Sequence, residues 1–321
     1  MRNELGFIQV CLAGFEDQTW PLDRLEVLVV DGGSDDGSRQ VVEHLASNRP
    51  WVRIVDNPRR KASAAFNRGI EAARGEVIFL FSSHGLPAVD FVEQSVAALE
   101  ESGAGGVGGR LEHAGVDPAS TSIGLAMMSP FGMASPFRFG KVQTEVDTIG
   151  HPAYRAEAVA SVGPFDETLD RNSDYEFNWR MREHGLKLIF DPAISSVYRP
   201  RPGLADLGRQ FWWYGRWKAE VIRRHPRSIR LRHLAAPLFV MGLAAAPFLV
   251  HRRSGRRLTA LALGTYAFLD VAAAVQVRHD HPNDPVAFGV LVAAFPVMHI
   301  GWGAGVLSSI VSRPNAPTSG T

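Results

Sequence analysis

The stretch Glu26–Ser38, EVLVVDGGSDDGS, decides how the rest of the chain is read. A short β-branched run, Val27–Val30, stops at Asp31 and is followed by Gly32, Gly33, Ser34, Asp35 and Asp36. Such a run, closed by turn residues, predicts a buried strand leaving a sheet. SRQVVEHLA comes next, with Val41, Val42 and Leu45 at helical spacing. Strand, Gly/Asp loop and helix together open a nucleotide-binding α/β unit, whose ligand sits at the carboxyl ends of the strands. A carboxylate at Asp31 can accept hydrogen bonds from ribose hydroxyls or a base N–H. The glycines permit positive φ and close backbone approach, and Ser34, Asp35 or Asp36 can cap the following helix. An ordinary capped βα turn uses the same residues, so the loop alone leaves both readings open. The loop has neither G-x-G-x-x-G nor G-x-x-x-x-G-K-[ST], which argues against dinucleotide and P-loop sites.

Outward from this loop the pattern alternates. Residues 5–17 predict a helix with Phe7, Ile8, Cys11, Leu12 and Phe15 on one face. Trp51–Val55 and Glu76–Phe81 predict two more strands; Ser38–Ser47, Ala64–Arg74 and Asp90–Glu101 predict helices. Strands alternating with helices imply a mainly parallel sheet. Residues 103–150, rich in glycine, serine and methionine, break the alternation, and residues 151–192 return to helix and short strands. Asp206–His225 predicts an amphipathic, aromatic-rich basic helix; a membrane-interface position and an ordinary packed helix both suit it.

The chain has 321 residues, a net charge of +1 and 45% hydrophobic residues, which suits a globular chain of two domains. No nucleic acid partner is expected. The single cysteine, Cys11, excludes an intrachain disulfide and favours a reducing compartment. The start shows no basic region followed by an apolar core, so no secretory signal is expected. Between Val221 and Arg257 lie nine arginines and no acid. Three apolar runs follow or overlap this segment: Leu234–Val250, holding Pro237 and Pro247; Leu258–Val277, holding Asp270; and Pro285–Val311, holding His299. Runs of this length suit a hydrocarbon core about 30 Å thick, and the arginines suit a cytoplasmic flank. The first run is short and proline-interrupted, so a re-entrant or interfacial path competes with three full spans. Asp270 and His299 are expected to face each other or a headgroup.

With this layout the chain resembles glycosyltransferase family 2, and within it the membrane-bound enzymes of the succinoglycan-biosynthesis type. RNE at Arg2–Glu4 resembles an early Asn-Glu loop, EVLVVDGGSDDGS a nucleotide loop, and ASAAFNRGIEAARGE a second signature. SPFGMASPFRFG at Ser129–Gly140 is similar to a subgroup stretch, and Asp147–Gly185 to an acceptor-side block. QFWWYGRWK and FPVMHIGWGAG complete a set whose order carries more weight than any one member.

The resemblance implies a GT-A fold (α/β, Rossmann-like) followed by C-terminal transmembrane helices. It implies an inverting transfer of a hexose from a nucleotide sugar, a UDP-sugar by expectation, to a lipid-linked or polysaccharide acceptor. The expected organisation is a catalytic domain over residues 1–205, an interfacial helix over 206–233, a membrane region over 234–312 and a disordered tail over 313–321. The expected location is the cell membrane, multi-pass, with the catalytic domain cytoplasmic. Asp174, in NSDYEFNWR, is the expected catalytic base, with Glu176 as runner-up or acceptor-side residue; either acid also suits a plain helix start. Glu4, Asp31, Gly32 and Asn67 are expected on the donor nucleotide, though Asn67 serves equally well as a structural amide. Asp166 and Glu167 suit a structural turn. Arg59, Arg60 and Lys61 can meet the diphosphate or simply be solvated. Gln210, Arg216 and Trp217 are similar to the Gln-x-x-Arg-Trp element of processive synthases, with a different spacing; Arg216 is a candidate diphosphate contact.

Two departures from the family pattern stand out. Relatives have an apolar strand before the RNE loop, and here that strand is expected to be missing. After the strand VIFLF, where the family places its metal-binding Asp-x-Asp (Asp-Ala-His in this subgroup), this chain has Ser82-Ser83-His84. His84 keeps the last ligand, but serine replaces the first carboxylate, and serine is a weak ligand for Mg²⁺ or Mn²⁺. A divalent metal is therefore in doubt as a cofactor. A catalytically impaired relative, acting as a binding or assembly component of surface-polysaccharide synthesis, is the alternative function.

Overall fold

The computed structural model describes residues 1–133, 135, 140–199 and 203–312; the tail, 313–321, lies outside the described residues. The chain forms two compact units: residues 1–112 with 140–198, and residues 113–133 with 203–312. The segment after residue 112 thus groups with the C-terminal helices, rather than the chain dividing at a single boundary near residue 205.

In the first unit, β1 (Val27–Asp31) and β2 (Val52–Asp56) pair in parallel, Val27 opposite Val52 and Asp31 opposite Asp56. Helices α1 (Ile8–Glu16), α2 (Ser38–Ser47) and α3 (Ala62–Ala72) flank them. Spacing explains α1: Ile8, Cys11, Leu12 and Phe15 fall on one face and are all buried. Phe7 precedes the helix and is exposed, so it does not share that face as expected.

A second sheet runs in the order β3 (Val77–Phe79), β7 (Ala153–Arg155), β5 (Gly106–His113), β8 (Leu188–Tyr198), β4 (Gly85–Pro87), with β6 (Thr144–Glu145) on β8. The described pairings β3–β7, β5–β7, β4–β8 and β6–β8 are antiparallel. Among the described pairings, the parallel direction expected for most of the sheet is found in β1–β2. The reason lies in the sequence: the strand-helix alternation that enforces parallel crossovers ends near residue 103. Helix α4 (Phe91–Ser102) packs on this sheet through Phe91 and Leu99, which join Val107, Ala153 and Ile194 in one core. Helices α6 (Ala156–Val162) and α7 (Ser173–Glu183) follow, with Phe165 stacked on Phe177 at 4.1 Å. The Tyr154 hydroxyl donates to Asn178 Oδ1 (2.6 Å), and Asn178 Nδ2 donates to Thr148 Oγ1 (3.0 Å), so this buried polar row is satisfied.

The second unit is helical. Helix α5 (Pro118–Met128) starts at a capping box formed by Asp117 and Ser120. It shares a core with α8 (Leu204–Arg224), α10 (Arg253–Asp280) and α11 (Phe288–Val311), through Ile123, Met127, Leu207, Phe211, Phe295 and Met298. Helix α9 (Arg232–Leu249) precedes α10, and α9, α10 and α11 are each long and apolar enough to cross a membrane. Helices α8 and α11 touch backbone to backbone. A Cβ on Gly305 would lie 2.2 Å from the Trp212 carbonyl oxygen, and one on Gly215 would lie 2.1 Å from that of Trp302. Small residues that admit such approach are a recurrent basis of helix packing in membranes. His299 hydrogen-bonds the Tyr266 hydroxyl and accepts no pairing with Asp270; its other nitrogen meets the Phe131 carbonyl, both at 2.8 Å.

His151 lies in the first unit, its backbone at φ 42° and its ring 4.1 Å from that of Phe81 and 2.8 Å from Ser196 Oγ. Burial, with the neighbouring His84 second, pushes its pKa down to about 3.

Two predictions follow from these contacts. Gly305→Leu should destabilise the second unit by about 2–3 kcal/mol through overpacking, read as a lower melting temperature in detergent. Gly264→Leu, with open space around it, should leave that temperature unchanged. His151 takes up a proton at pH 6.5 when unfolded but only near pH 3 when folded. Stability should therefore be full above pH 6.5 and fall as pH drops toward 3, by at most about 1.4 kcal/mol per unit. Residual exposure of the ring reduces that slope. His151→Phe should flatten the profile of melting temperature against pH.

Candidate active site

The site is built where β1 ends. The Asp31 carboxylate is buried and turned onto its own loop: Ser34 donates to it from its N–H (3.2 Å) and its hydroxyl (2.7 Å), and Arg39 lies 3.4 Å from its second oxygen. Arg39 also pairs with Asp56 at 2.7 Å, joining the ends of β1 and β2. Gly33 adopts φ 75°, a left-handed conformation that favours glycine. Gly32 does not; its N–H donates to the Met1 carbonyl at 2.8 Å.

Residues 3–5 are laced onto this loop. Asn3 N–H donates to Ser34 Oγ (3.0 Å), Asn3 Nδ2 to Asp35 Oδ1 (2.9 Å), and Asp35 N–H back to Asn3 Oδ1 (3.0 Å). Glu4 N–H donates to Ser38 Oγ (2.8 Å), and Leu5 N–H to Asp36 Oδ2 (3.1 Å). Hydrogen bonds from Ser38 and Leu5 hold the Asp36 carboxyl below the usual carboxylate range, the Ser38 hydroxyl contributing most. Sequence reasoning marked both segments but not their mutual pairing; its only trace was the complement of amide and backbone donors in RNE with acids and serines in SDDGS.

Glu4 carries the cluster to the third marked segment. Its Oε1 lies 3.4 Å from His84 Nδ1, and His84 Nε2 lies 3.0 Å from Ser82 Oγ. Edge contacts from Tyr198 at 4.9 Å and Phe7 at 6.5 Å fix the imidazole plane. Neither aromatic was foreseen for this task. Among the described residues, no three His, Cys, Asp or Glu side chains converge as a metal site. One carboxylate, one imidazole and a neutral hydroxyl are too few to hold Mg²⁺ or Mn²⁺ alone. They fit only an ion that brings most of its ligands on a diphosphate.

The basic loop divides its labour. Arg59 pairs with Glu167, and Lys61 with Asp170 at 2.7 Å. Arg60, exposed and at φ 57°, lays its guanidinium against the glycine turn, 3.4 Å from where a Cβ on Gly33 would sit. Asn67 grips the Phe165–Glu167 turn from both ends of its amide: Nδ2 donates to the Phe165 carbonyl (3.0 Å) and Glu167 Oε1 (2.9 Å), and Oδ1 accepts from Phe165 N–H (2.8 Å). Asn67 is thus occupied as a structural amide.

Helix α7 presents the acceptor-side acids. It begins after Asn172, held at φ 59°, a strained conformation of the kind that concentrates at functional sites. Asp174, in the first turn, is exposed. Burial and then the charge of Asp174 raise the Tyr154 phenol well above its ordinary pKa. Glu176 is buried, and both its oxygens face Arg180 at 2.8 and 3.1 Å; Arg180 also donates to the carbonyls of Val162 and Pro164. Arg216 lies in the second unit, donating to Ser308 Oγ and the Ser312 carbonyl, each at 3.1 Å, beside the rings of Trp212 and Trp213. The geometry therefore joins Glu4, Asp31, Gly32 and His84, places Asp174 at an exposed position, and gives Glu176, Asn67 and Arg216 protein partners.

Known proteins bear on this arrangement. The chain is 29% identical over 306 residues to the succinoglycan biosynthesis protein ExoA of Rhizobium meliloti, covering 94% of this chain and 91% of that one. It is 28% identical over 230 residues to a dolichyl N-acetyl-alpha-D-glucosaminyl phosphate 3-beta-D-2,3-diacetamido-2,3-dideoxy-beta-D-glucuronosyltransferase of Methanococcus voltae, covering 69% and 72%. Its fold is similar to the mannosyltransferase PcManGT from Pyrobaculum calidifontis, solved with GDP-Man and Mn²⁺. There the TM-score is 0.62 at 22% identity, over 93% of this chain and 84% of that one. It is also similar to S. aureus TarS 1-349 in complex with UDP-GlcNAc, with a TM-score of 0.52 at 16% identity, over 98% and 90%. Residues 1–162, half of the chain, match the glycosyl transferase family 2 domain, and the chain belongs to that family.

Proposed function

We propose that this chain is an inverting, membrane-anchored hexosyltransferase that uses a UDP-sugar and a lipid-linked or polysaccharide acceptor. The observation that carries the reading is the single hydrogen-bonded cluster made by Asn3–Leu5, Asp31–Ser38 and Ser82–His84 at the carboxyl end of β1. A relative named for succinoglycan biosynthesis and one named for a dolichyl phosphate substrate support the acceptor class. Nucleotide-sugar complexes of similarly folded proteins support the donor class.

In this mechanism Asp174 accepts the proton of the acceptor hydroxyl as its oxygen bonds to the anomeric carbon from the face opposite the leaving group. The bond from that carbon to the diphosphate oxygen breaks, and the nucleoside diphosphate leaves with the electron pair. A carboxylate exposed in the first turn of a helix is accessible to a substrate, as a base must be. Arg60, over the glycine turn, is the cation best placed for the diphosphate. Glu4 and His84 would hold a divalent ion that arrives with the donor, and such an ion would neutralise charge on the leaving diphosphate. Asp31 shapes the nucleoside loop through Ser34. Glu176 keeps α7 in register through Arg180.

The proposed location is the cell membrane, with the first unit cytoplasmic, where nucleotide sugars are available. Arginines flank α9 on both sides, at 223–232 and 252–257. A full crossing would put one cluster on the far side, against the positive-inside tendency. A re-entrant or interfacial α9 keeps both inside.

A second reading keeps one specific observation in its favour: Ser82 stands where a carboxylate would complete a metal site. On that reading the chain binds partners or glycan without turnover. Three measurements separate the two. Asp174→Asn should lower kcat by about 10²–10⁴-fold while leaving UDP affinity unchanged; full turnover by this variant would sink the base assignment. Arg60→Ala should weaken UDP binding by about tenfold, the scale of one charge-assisted hydrogen bond, whereas Arg59→Ala should lower only the melting temperature. Ser82→Asp should tighten Mn²⁺ binding measured calorimetrically with UDP present. If the unaltered chain binds no UDP with or without Mn²⁺, the non-catalytic reading prevails.

A further inference from the structure

The basic loop links the end of β1 to the start of α7. Asn57 follows β2 and organises the loop. Its N–H donates to the Asp31 carbonyl (2.8 Å), its Nδ2 donates to the Lys61 carbonyl (3.0 Å), and its own carbonyl accepts from Arg60 N–H (3.1 Å). These bonds close a turn over residues 57–61 and hang it on the strand that ends in the nucleotide loop. Arg60 within it adopts φ 57°. Around that residue neighbouring side chains part: Arg60 lies against Gly33, and Lys61 Nζ reaches Asp170 Oδ1 at 2.7 Å.

Asp170 belongs to the turn that leads into α7. Both its oxygens are buried, and among the described residues the Lys61 ammonium is their partner. A buried carboxylate with one cation depends on it, because losing the cation leaves an uncompensated charge. Lys61 Nζ also donates to the Glu167 carbonyl, and Ser63 Oγ to the Leu169 carbonyl, each at 3.3 Å. The turn is fastened to α7 from its other side. Phe165 stacks on Phe177, and Arg180 donates to the carbonyls of Val162 and Pro164. The backbone then takes positive φ again at Asn172, and Asp174 follows in the first turn of the helix. Two strained positions, one beside the glycine turn and one before Asp174, thus flank the two ends of one ion pair. Such strain persists where the surrounding structure over-determines it.

We infer that Lys61 and Asp170 are a positioning pair: they hold the start of α7, and with it Asp174, in register with the donor loop, so that filling the donor site orders the acceptor-side base. The inference rests on the proposed reading of the glycine turn and Arg60 as a nucleotide site. It gives Lys61 a task different from that of Arg60. Arg60 meets the diphosphate, and Lys61 carries the consequence to α7 without touching the ligand.

The test uses UDP as the probe and the full chain in detergent. Hydrogen–deuterium exchange over residues 172–178 should slow by about tenfold when UDP binds, within the usual range of coupling between two sites. Lys61→Met and Asp170→Asn should each still bind UDP with little change in affinity, measured calorimetrically, and lose that slowing. Lys61→Arg should restore it. Asp170→Asn keeps the side-chain shape and removes the buried charge, so it carries the test if Lys61→Met does not fold. Slowing that persists in both variants overturns the inference, as does UDP binding that leaves 172–178 unchanged in the unaltered chain. If Lys61→Met weakens UDP binding by about tenfold and Asp170→Asn tightens it, Lys61 is itself a diphosphate ligand and the inference falls. If the unaltered chain binds no UDP, the nucleotide reading falls and takes the inference with it.

Discussion

The first unit depends on one constraint: a backbone group removed from water must find a partner. At the carboxyl end of β1 the constraint is met with side chains. Ser34, Ser38, Asp36 and Asn3 take up the N–H groups that neither a helix nor a ladder uses. Two loops that would each be loose alone become one surface, and Glu4 on that surface reaches His84 from a third. The position of every group in the cluster follows from this lacing.

Much of this was legible in the sequence. The run VLVVD followed by glycines and acids located β1, its loop and the following helix to within a residue or two, because β-branched residues and turn residues change abruptly there. The acid at Asp174 and the absent acid at Ser82 were also visible as residue types. What could not be read was partnership. Asn67, Glu176 and Arg216 carry side chains suited to a ligand, and each is held by protein atoms instead. The contacts of Asn67 with Phe165 and of Arg216 with Ser308 join residues far apart in the chain, and local pattern carries no record of them; Glu176 and Arg180 are four residues apart on one helix. Sheet direction was legible where its cause operates: the strand-helix alternation gives the parallel pair β1–β2. Past residue 103, where the alternation breaks, local pattern carries no record of the antiparallel pairings.

Two parts of the first unit show how differently polar and apolar sequence fix structure. Around His84, hydrogen bonds of 3.0 and 3.4 Å and two aromatic edges determine one orientation of one ring. Along α1, apolar spacing alone places Ile8, Cys11, Leu12 and Phe15 on one buried face. Periodicity carries the information in the second case, residue identity in the first.

The grouping of residues 113–133 with the C-terminal helices has a practical consequence. The polypeptide passes from one unit to the other after residue 112, is back in the first unit by residue 140 and leaves again after residue 198. No single cut separates the two. A fragment ending near residue 205 would keep α5 but lose Leu207, Phe211, Leu291 and Phe295, which cover Ile123 and Met127. It would present that apolar face to water and invite aggregation. The two threads leading into the helical unit, after residues 112 and 198, must be severed together if the first unit is to be separated from it.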